Sequence, residues 1–429
     1  MTYEQALQNI HSLDKFGAKL GTDRLSKLLS KIGNPQKKLK YIHTAGTNGK
    51  GSVCVMLSNI LEKSGYKTGL YISPFVCDFR ERIQINNKMI DGDFLAEAIE
   101  RLMPIVRQMA ENDEIITEFE LVTAAAFYCF DKEKCDIVVL ETGLGGRYDA
   151  TNVIERPLCS VITPIGLDHT AILGDTLTKI AFEKAGIIKQ NSNTVISHQK
   201  NEAKTELLRC AKERNNRIFF ADDVTLSDVK TDIKGNSFVY KNEKITLNLL
   251  GKHQIDNVKT VLKTVEVLNE YIGFLNIPIT AVKSALKSVC HPARLELLRK
   301  EPVILLDGAH NPDGIETLAD FVKSNLSDKK IVCIMGMLRD KDSISSIEIL
   351  SGLFETVITV PIQNPRSMTQ SELADVCQGH FENVTEKSDV KSAVDKAFAL
   401  ADNKEYAIVI CGSLYLAGEI RQVVIDRIQ

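Results

Sequence analysis

Short apolar segments alternate with amphipathic segments along most of this chain of 429 residues. The apolar segments are bounded by Gly, Pro or charged residues, a pattern typical of strands buried on both faces. They include 40–44, 68–72, 137–140 and 158–163. The segments between them have their apolar residues at helical spacing, as in 53–63, 93–109, 119–130 and 177–189. Because buried strands that alternate with helices form parallel sheets covered on both faces, we predict an α/β fold.

The alternation stops and restarts once, which predicts two domains. A helix predicted over 280–289 ends close to 290–294, and a new strand begins at 302–306. We therefore expect a first domain with a parallel sheet over residues 1–292. A linker at 293–299 and a smaller, Rossmann-like α/β domain at 300–429 would follow. Short β-like runs within 231–248 predict a small hairpin on the first domain.

Composition excludes some classes of partner. Lys and Arg total 53 against 56 Asp and Glu, a formal net charge of −3, whereas nucleic-acid binders usually have a basic surplus. The ten cysteines include no CxxC pair, which favours reduced thiols and a reducing compartment. No apolar run approaches the roughly 18 residues of a membrane span, and the N-terminal residues do not resemble a signal peptide. We expect a cytoplasmic protein without a membrane partner.

A glycine-rich loop follows the first predicted strand and precedes a helix. Its residues are Gly46, Thr47, Asn48, Gly49, Lys50, Gly51 and Ser52. Glycines let backbone N–H groups face a phosphate, the helix N-terminus adds positive potential, and Lys50 can reach the β- and γ-phosphates. The extra Gly51 between the lysine and the hydroxyl departs from the usual spacing. An ordinary glycine-rich turn is the alternative, but the context favours an enzyme that uses ATP or GTP. We therefore expect the first domain, residues 1–292, to be a P-loop-containing, mononucleotide-binding domain.

The loop resembles that of the folylpolyglutamate synthases, ATP-dependent amide ligases of the Mur ligase superfamily. The resemblance extends along nearly the whole chain. The other segments that carry it are Ser73-Pro74 with 81–83, LETGLGGRYDATN at 140–152, ITPIGLDHT at 162–170, EKAGIIK at 183–189, LDGAHNP at 306–312 and GSLY at 412–415. Several long segments in a compatible order are far more specific than one loop.

This resemblance implies a reaction. ATP would phosphorylate the γ-carboxylate of a reduced folate, and the amine of L-glutamate would then displace phosphate from the acyl phosphate. The first domain would bind ATP and the pterin or folate, and the second would be the glutamate ligase domain. Mg²⁺, as two ions, would neutralise the phosphates, since Mg²⁺ is held by oxygen ligands, waters and phosphates. Dihydropteroate is a second acceptor that the resemblance leaves open.

By the same resemblance, Ser73, Glu141 and His169 are the metal ligands, and Lys184 and Lys50 are catalytic. The family carries a carbamylated lysine in the position of Lys184, which would support a second metal or orient the substrate. The residues themselves suggest simpler alternatives. Glu141 could be a solvated carboxylate, His169 a capping histidine, Ser73 a turn residue, and Lys184 part of a solvated helix face.

Nucleotide and glutamate contacts are implied further along the chain. Asn257, Arg294 and Asp307 would contact ATP, His310 would act near the incoming glutamate, and Ser413 would assist it. Taken alone, these residues could be a helix cap, a solvated linker arginine and a loop histidine. The family usually has Gly where this chain has Ala293, a change that affects the turn more than the arginine.

The predicted pterin-binding residues lie in three segments that align with those bordering the family's folate pocket. Their residues are Thr22, Asp23 and Arg24; Thr117, Glu118, Phe119 and Glu120; and Tyr148, Asp149 and Ala150. Phe119 could stack on a pterin or belong to the core. Many family members have His after Ser73-Pro74, whereas this chain has Phe75, a difference that bears on substrate preference.

Two other functions stay open. A cell-wall precursor ligase commonly has a separate N-terminal substrate domain of about 100 residues, but only 45 residues precede Gly46. A nucleotide-dependent regulator would explain the glycine-rich loop and leave Glu141, His169, Lys184 and His310 without a role. A cleft enzyme of two domains needs no protein partner, so we expect a monomer whose partners are L-glutamate and a folate or dihydropteroate.

Overall fold

The computed structural model describes residues 1–13, 21–273 and 275–429, and these form two compact units. The first unit comprises Met1–Phe75, Phe79–Leu226 and Asp256–Val289, and the second comprises Val76–Asp78, Ser227–Ile255 and Cys290–Gln429. This division differs from the predicted one, in which residues 1–292 form a single domain. Residues Ser227–Ile255, which include the predicted hairpin, belong to the second unit.

The first unit is built on an eight-stranded sheet. Its strands are β1 (Tyr41–Ala45), β2 (Thr68–Tyr71), β3 (Ile83–Ile85), β4 (Lys88–Met89), β5 (Ile137–Glu141), β6 (Cys159–Ile162), β7 (Asn193–Ile196) and β8 (Arg217–Phe220). Their order across the sheet is β4-β3-β2-β5-β1-β6-β7-β8. All pairs are parallel except β2–β3 and β3–β4, so a short antiparallel hairpin forms one edge. The central strands are fully buried, as their apolar sequences predict.

Ten α-helices accompany this sheet in the described part of the chain. They are α1 (Tyr3–His11), α2 (Asp23–Lys31), α3 (Lys50–Lys63), α4 (Gly92–Ala110), α5 (Glu118–Lys132), α6 (Thr170–Leu173), α7 (Leu177–Lys184), α8 (Asn201–Glu213), α9 (His253–Val267) and α10 (Ile279–Ser288). The helix predicted over 177–189 is shorter than expected. It ends at Lys184 and continues as one 3-10 turn over Ala185–Ile187.

The second unit contains two sheets. A three-stranded antiparallel sheet replaces the predicted hairpin and consists of β9 (Ser227–Asp232), β10 (Gly235–Tyr240) and β11 (Glu243–Leu247). The larger sheet has the order β12-β13-β17-β14-β15-β16. Its strands are β12 (Glu296–Lys300), β13 (Val303–Leu306), β14 (Lys330–Met335), β15 (Thr356–Thr359), β16 (Asn383–Glu386) and β17 (Tyr406–Cys411). Only β12 is antiparallel to its neighbour.

Five helices complete the second unit: α11 (Pro312–Asn325), α12 (Ser343–Leu350), α13 (Gln370–Cys377), α14 (Val390–Leu400) and α15 (Leu414–Ile428). Apolar clusters lie on both faces of the larger sheet. The predicted α/β class, with a parallel-dominated first sheet and a second α/β domain, is confirmed. Among the described residues, no helix combines the length and the apolar character that crossing a bilayer requires.

Candidate active site

The predicted site residues of the first unit follow four neighbouring strands. The strands β2, β5, β1 and β6 lie side by side, and all four are parallel. Ser73 follows β2, Glu141 ends β5, the glycine-rich loop 46–52 follows β1, and His169 lies in the segment after β6. Open α/β sheets bind ligands at the carboxyl ends of their strands, which is where these four loops meet.

The glycine-rich loop is held by the segment after β6. The N–H groups of Thr47 and Asn48 donate to the carbonyl of Pro164 at 2.9 and 3.3 Å. The Thr47 hydroxyl bonds to both backbone groups of Gly166, each at 3.1 Å. The loop is therefore fixed in place by backbone contacts before α3 begins.

Glycine is required at two positions of this loop. Gly49 has φ +84°, and a Cβ there would lie 2.4 Å from Oδ1 of Asn257. A Cβ on Gly46 would lie 1.8 Å from Oγ1 of Thr163. The close approach of Asn257 places this predicted nucleotide contact directly beside the loop.

Two lysines converge on a single carbonyl of the loop. Nζ of Lys50 donates to the carbonyl oxygens of Gly46 and Thr47 at 3.0 and 3.2 Å, and Nζ of Lys184 donates to that of Gly46 at 2.7 Å. Lys184 is 4% exposed, so the solvated helix face considered from the sequence is not observed. Burial and the charge of Lys50 lower the pKa of Lys184 to about 7, while Asp168 and Asp149 act in the opposite direction.

A clamp that the sequence did not reveal holds the Lys184 turn. The N–H of Arg147 donates to the carbonyl of Glu183 at 2.7 Å, and a Cβ on Gly186 would lie 2.1 Å from Cα of Arg147. The amide of Asn152 donates to the carbonyls of Arg147 and Gly186 at 3.0 and 3.2 Å. In the sequence, Gly186 could have indicated this clamp, because an isolated glycine beside a helix end indicates that another backbone segment approaches closely.

The three predicted metal ligands are only partly assembled. The N–H of Ser73 donates to Oε2 of Glu141 at 3.2 Å, and Glu141 is 4% exposed. His169 is half-exposed, has φ +51° and lies 3.9 Å from the Asp168 carboxylate. No group of three or more His, Cys, Asp or Glu in the described ranges could hold a metal ion. This arrangement fits a Mg²⁺ held by one carboxylate together with phosphates and waters, since Mg²⁺ keeps few protein ligands.

The predicted pterin segments lie close together. The N–H of Gly21 donates to the carbonyl of Tyr148 at 3.2 Å, and Arg24 forms an ion pair with Glu120 at 3.1 Å. Thr117 and Glu120 cap α5 reciprocally, with 2.9 Å between the Thr117 nitrogen and the Glu120 carboxylate. Thr22 precedes α2 and Asp23 begins it, and both are at least partly exposed.

The remaining pterin candidates have different surroundings. Phe119 packs against Gly143, where a Cβ would lie 2.5 Å from the ring, and its ring lies 6.0 Å from that of Tyr71. Asp149 is buried, and its carboxylate accepts from the N–H groups of Leu144 and Thr151, while burial raises its pKa. Of the others, Tyr148 is 48% exposed, Glu118 lies 3.4 Å from His11, and Ala150 is buried.

Phe75, which replaces the usual histidine, belongs to an aromatic cluster. Its ring lies 5.5 Å from that of Phe79, and the guanidinium of Arg82 lies 5.3 and 5.4 Å from the two rings. The residue therefore makes apolar and cation–π contacts that a histidine would make less well.

In the second unit, Asp307, Arg294, His310 and Ser413 lie around the end of β13. The carboxylate of Asp307 accepts from the N–H groups of Leu295 and Ala309 at 2.7 and 2.8 Å, and burial raises its pKa. Nδ1 of His310 lies 2.8 Å from the carbonyl of Gly308, which can only accept, so Nδ1 carries the proton of the neutral ring. Ser413 caps α15. Ala293 has φ +55°, the region that the family's glycine would favour.

Two domain models match this chain one after the other, and the first of them includes residues 227–255 of the second unit. The Mur ligase middle domain matches residues 44–265, and the Mur ligase glutamate ligase domain matches residues 293–414. These two matches define the class of protein, and the chain is a Mur ligase.

Individual relatives narrow this class. The chain is 34% identical to the dihydrofolate synthase/folylpolyglutamate synthase of Bacillus subtilis, over 98% of each protein. It is also 34% identical to the folylpolyglutamate synthase of Lacticaseibacillus casei, over 99% of each. The structure of Mycobacterium tuberculosis folylpolyglutamate synthase complexed with ADP and AMPPCP superimposes with a TM-score of 0.89, at 30% identity and 98% coverage of each chain. The chain belongs to the folylpolyglutamate and dihydrofolate synthase family of Mur ligases.

Proposed function

We propose that the protein is an ATP-dependent ligase that adds L-glutamate to the γ-carboxylate of a reduced folate through an acyl phosphate. The observation that carries this proposal is the convergence of Lys50 and Lys184 on the carbonyl of Gly46, beside the paired Ser73 and Glu141. Phosphoryl transfer requires positioning and charge neutralisation more than covalent work by the protein. The glycine-rich loop, Lys184 and the buried carboxylate supply positioning, and the ammonium of Lys50 supplies positive charge.

Magnesium is proposed as part of this site. Glu141 and Ser73 would hold it, with His169 and Ser52 contributing when the nucleotide is bound. When bound, the ion would supply positive charge that offsets the charge developing during phosphoryl transfer. The chain's own share is to orient Glu141, which the N–H of Ser73 does by donating to its carboxylate.

Carbamylation of Lys184 is also proposed. The neutral amine attacks CO₂, forming an N–C bond and releasing one proton. Burial lowers the pKa of Lys184 to about 7, so a substantial fraction of its side chain is neutral near pH 7. The carbamate would place an anion beside the ammonium of Lys50, where a protonated Lys184 would place a second cation on the Gly46 carbonyl. Loss of activity in bicarbonate-depleted buffer, with recovery on adding bicarbonate, is the expected result; activity independent of bicarbonate would contradict it.

The second unit supplies the glutamate side of the proposal. Because Nδ1 of His310 carries its proton toward Gly308, the lone pair of the neutral ring is on Nε2. That nitrogen can accept a proton from the glutamate ammonium, which must be neutral before it attacks the acyl phosphate. Arg294 and Asp307 would contact the nucleotide, and Ser413 would help to orient the glutamate.

The test is ADP release by purified protein with Mg·ATP and L-glutamate, comparing tetrahydrofolate with dihydropteroate. Product mass would establish the addition of a glutamyl unit. Turnover with tetrahydrofolate alone would indicate a polyglutamate synthase, and turnover with both acceptors would indicate a bifunctional enzyme. ATP binding without turnover of either would refute the ligase and leave the regulator as the alternative.

Two glutamate variants provide the control for this assay. Glu141→Gln removes the proposed metal ligand and should lower kcat about 100-fold or more, by analogy with the loss of one charge-stabilising group. Glu155→Gln changes a carboxylate that is 73% exposed and paired with Lys37, and should leave kcat unchanged. Equal activity of the two variants would mean that Glu141 is not part of the active site.

A further inference from the structure

Three residues of the loop after β2 belong to the second unit. The chain leaves the first unit after Phe75 and returns to it at Phe79. In between, the side chain of Val76 packs against the apolar cluster of the second unit that contains Leu416, Ala417 and Ile420. We call Val76–Asp78 the β2-loop segment.

Gly418 of α15 is where this segment is seated. A Cβ on Gly418 would lie 2.0 Å from the carbonyl oxygen of Val76 and 3.1 Å from its carbonyl carbon. These are backbone atoms that cannot rotate away, so any other residue would force the segment or the helix to move. Gly within a helix is less favourable than Ala, which makes the close approach the physical reason for a glycine in this position.

The same helix also supports the Arg294 turn. One turn beyond Gly418, the guanidinium of Arg421 binds the carboxylate of Glu296 at 2.7 and 3.0 Å. That carboxylate accepts from the N–H of Ala293 at 3.0 Å. The helix α15 therefore holds both the β2-loop segment and the turn that carries a proposed nucleotide contact.

We propose that Gly418 is a positioning residue for the ligase reaction. It allows the β2-loop segment to rest on α15, and this sets the position of Ser73. Pro74 and Phe75 are the only residues between Ser73 and Val76, so a displacement of Val76 reaches Ser73 with little slack. Ser73 in turn donates to Glu141 at 3.2 Å. The inference rests on the proposed function, because Ser73 matters to the reaction only if it lies at the phosphate site.

The test is Gly418→Ala, measured by steady-state kinetics and by hydrogen–deuterium exchange of the peptide that spans residues 73–79. We expect kcat to fall about 10- to 100-fold, the order of effect that a displacement of about 1 Å produces. The KM for ATP should change little, because the glycine-rich loop is held within the first unit by Pro164 and Gly166. Exchange in the 73–79 peptide should become faster.

Two further variants keep the result specific. Gln422→Ala alters an exposed residue of the same helix and should leave both kcat and the exchange unchanged. Val76→Ala keeps the backbone contact but removes side-chain packing, and should produce smaller changes in the same directions. It also tests the seating if Gly418→Ala does not fold.

Several outcomes would overturn the inference. They are a wild-type kcat in Gly418→Ala, unchanged exchange at 73–79, and faster exchange throughout β13 and β17, which would mean a general loosening. If the wild-type enzyme ligates no glutamate, the proposed function fails, whereas unchanged exchange would refute only the seating of the segment. The two failures are therefore distinguishable.

Discussion

The ammonium of Lys184 is buried at a cost to stability. Its pKa falls from 10.5 to about 7, so between these pH values the unfolded chain binds more protons than the folded one, and stability rises with pH. One pKa unit corresponds to about 1.4 kcal/mol. We expect Lys184→Met to raise the free energy of unfolding at pH 7 by roughly 2–4 kcal/mol, allowing for the lost bond to Gly46, and to abolish ligation.

Denaturant unfolding of both proteins from pH 6 to pH 10 would measure this difference. The stability difference should be greatest below pH 7, where the penalty is complete, and should shrink as the pH approaches 10.5. A variant that is less stable than the wild type at pH 7 would contradict the burial argument. The sequence could not indicate this environment, because Glu183-Lys184 has the appearance of a solvated pair, and only the clamp formed by Arg147 and Asn152 turns the lysine inward.

Gly49 and Gly65 form a matched pair for testing the glycine-rich loop. Their φ values are +84° and +90°, but a Cβ on Gly49 would meet Asn257, whereas a Cβ on Gly65 would meet nothing within 4 Å. Alanine at either position should destabilise the protein by about 1–2 kcal/mol through backbone strain. Only Gly49→Ala should also weaken ATP binding, by about tenfold or more, as isothermal titration calorimetry would show. Equal ATP affinity in both variants would mean that Asn257 and Gly49 do not belong to the nucleotide site.

Two helices begin with the same capping box in different surroundings. Thr117 and Glu120 start α5, where Glu120 is 2% exposed and paired with Arg24; Thr369 and Glu372 start α13 at the surface. We expect Glu120→Ala to lower the free energy of unfolding by roughly 2–3 kcal/mol, because both a cap and a buried ion pair are lost. Thermal unfolding should show a smaller loss for Glu372→Ala. A larger loss at Glu372 would mean that burial does not set the strength of the cap.

Elements were predictable from the sequence where one local pattern determined them. The strand predicted at 137–140 is β5, Ile137–Glu141, and the helix predicted at 119–130 is α5, Glu118–Lys132. The helix predicted at 177–189 ends early because Gly186 must approach Arg147, a contact distant in sequence. The motifs that follow neighbouring strands were enough to predict that Glu141, Ser73 and the glycine-rich loop lie at one edge of the sheet. Gly418 could not be predicted, because its contact with Val76 is also distant in sequence.

At the scale of the whole molecule, the chain passes between the two units several times. Periodicity shows that a segment is apolar, but it does not show which neighbour covers it. The three-stranded sheet β9–β11 was therefore predicted on the first domain, although Ser227–Ile255 belongs to the second unit. Leu250 and Ile233 pack in the apolar cluster of that unit with Leu305 and Val322.

This assignment predicts which elements lose stability when one buried leucine is truncated. Leu250→Ala should lower the free energy of unfolding by about 2–4 kcal/mol, the usual cost of a cavity in a core. Hydrogen–deuterium exchange should become faster in β13 and α11, because these elements share its cluster, and remain unchanged in β1 and β5. Leu121→Ala, in the core of the first unit, should give the reverse pattern. Faster exchange in β1 and β5 after Leu250→Ala would mean that residues 227–255 are part of the first domain, as the sequence predicted.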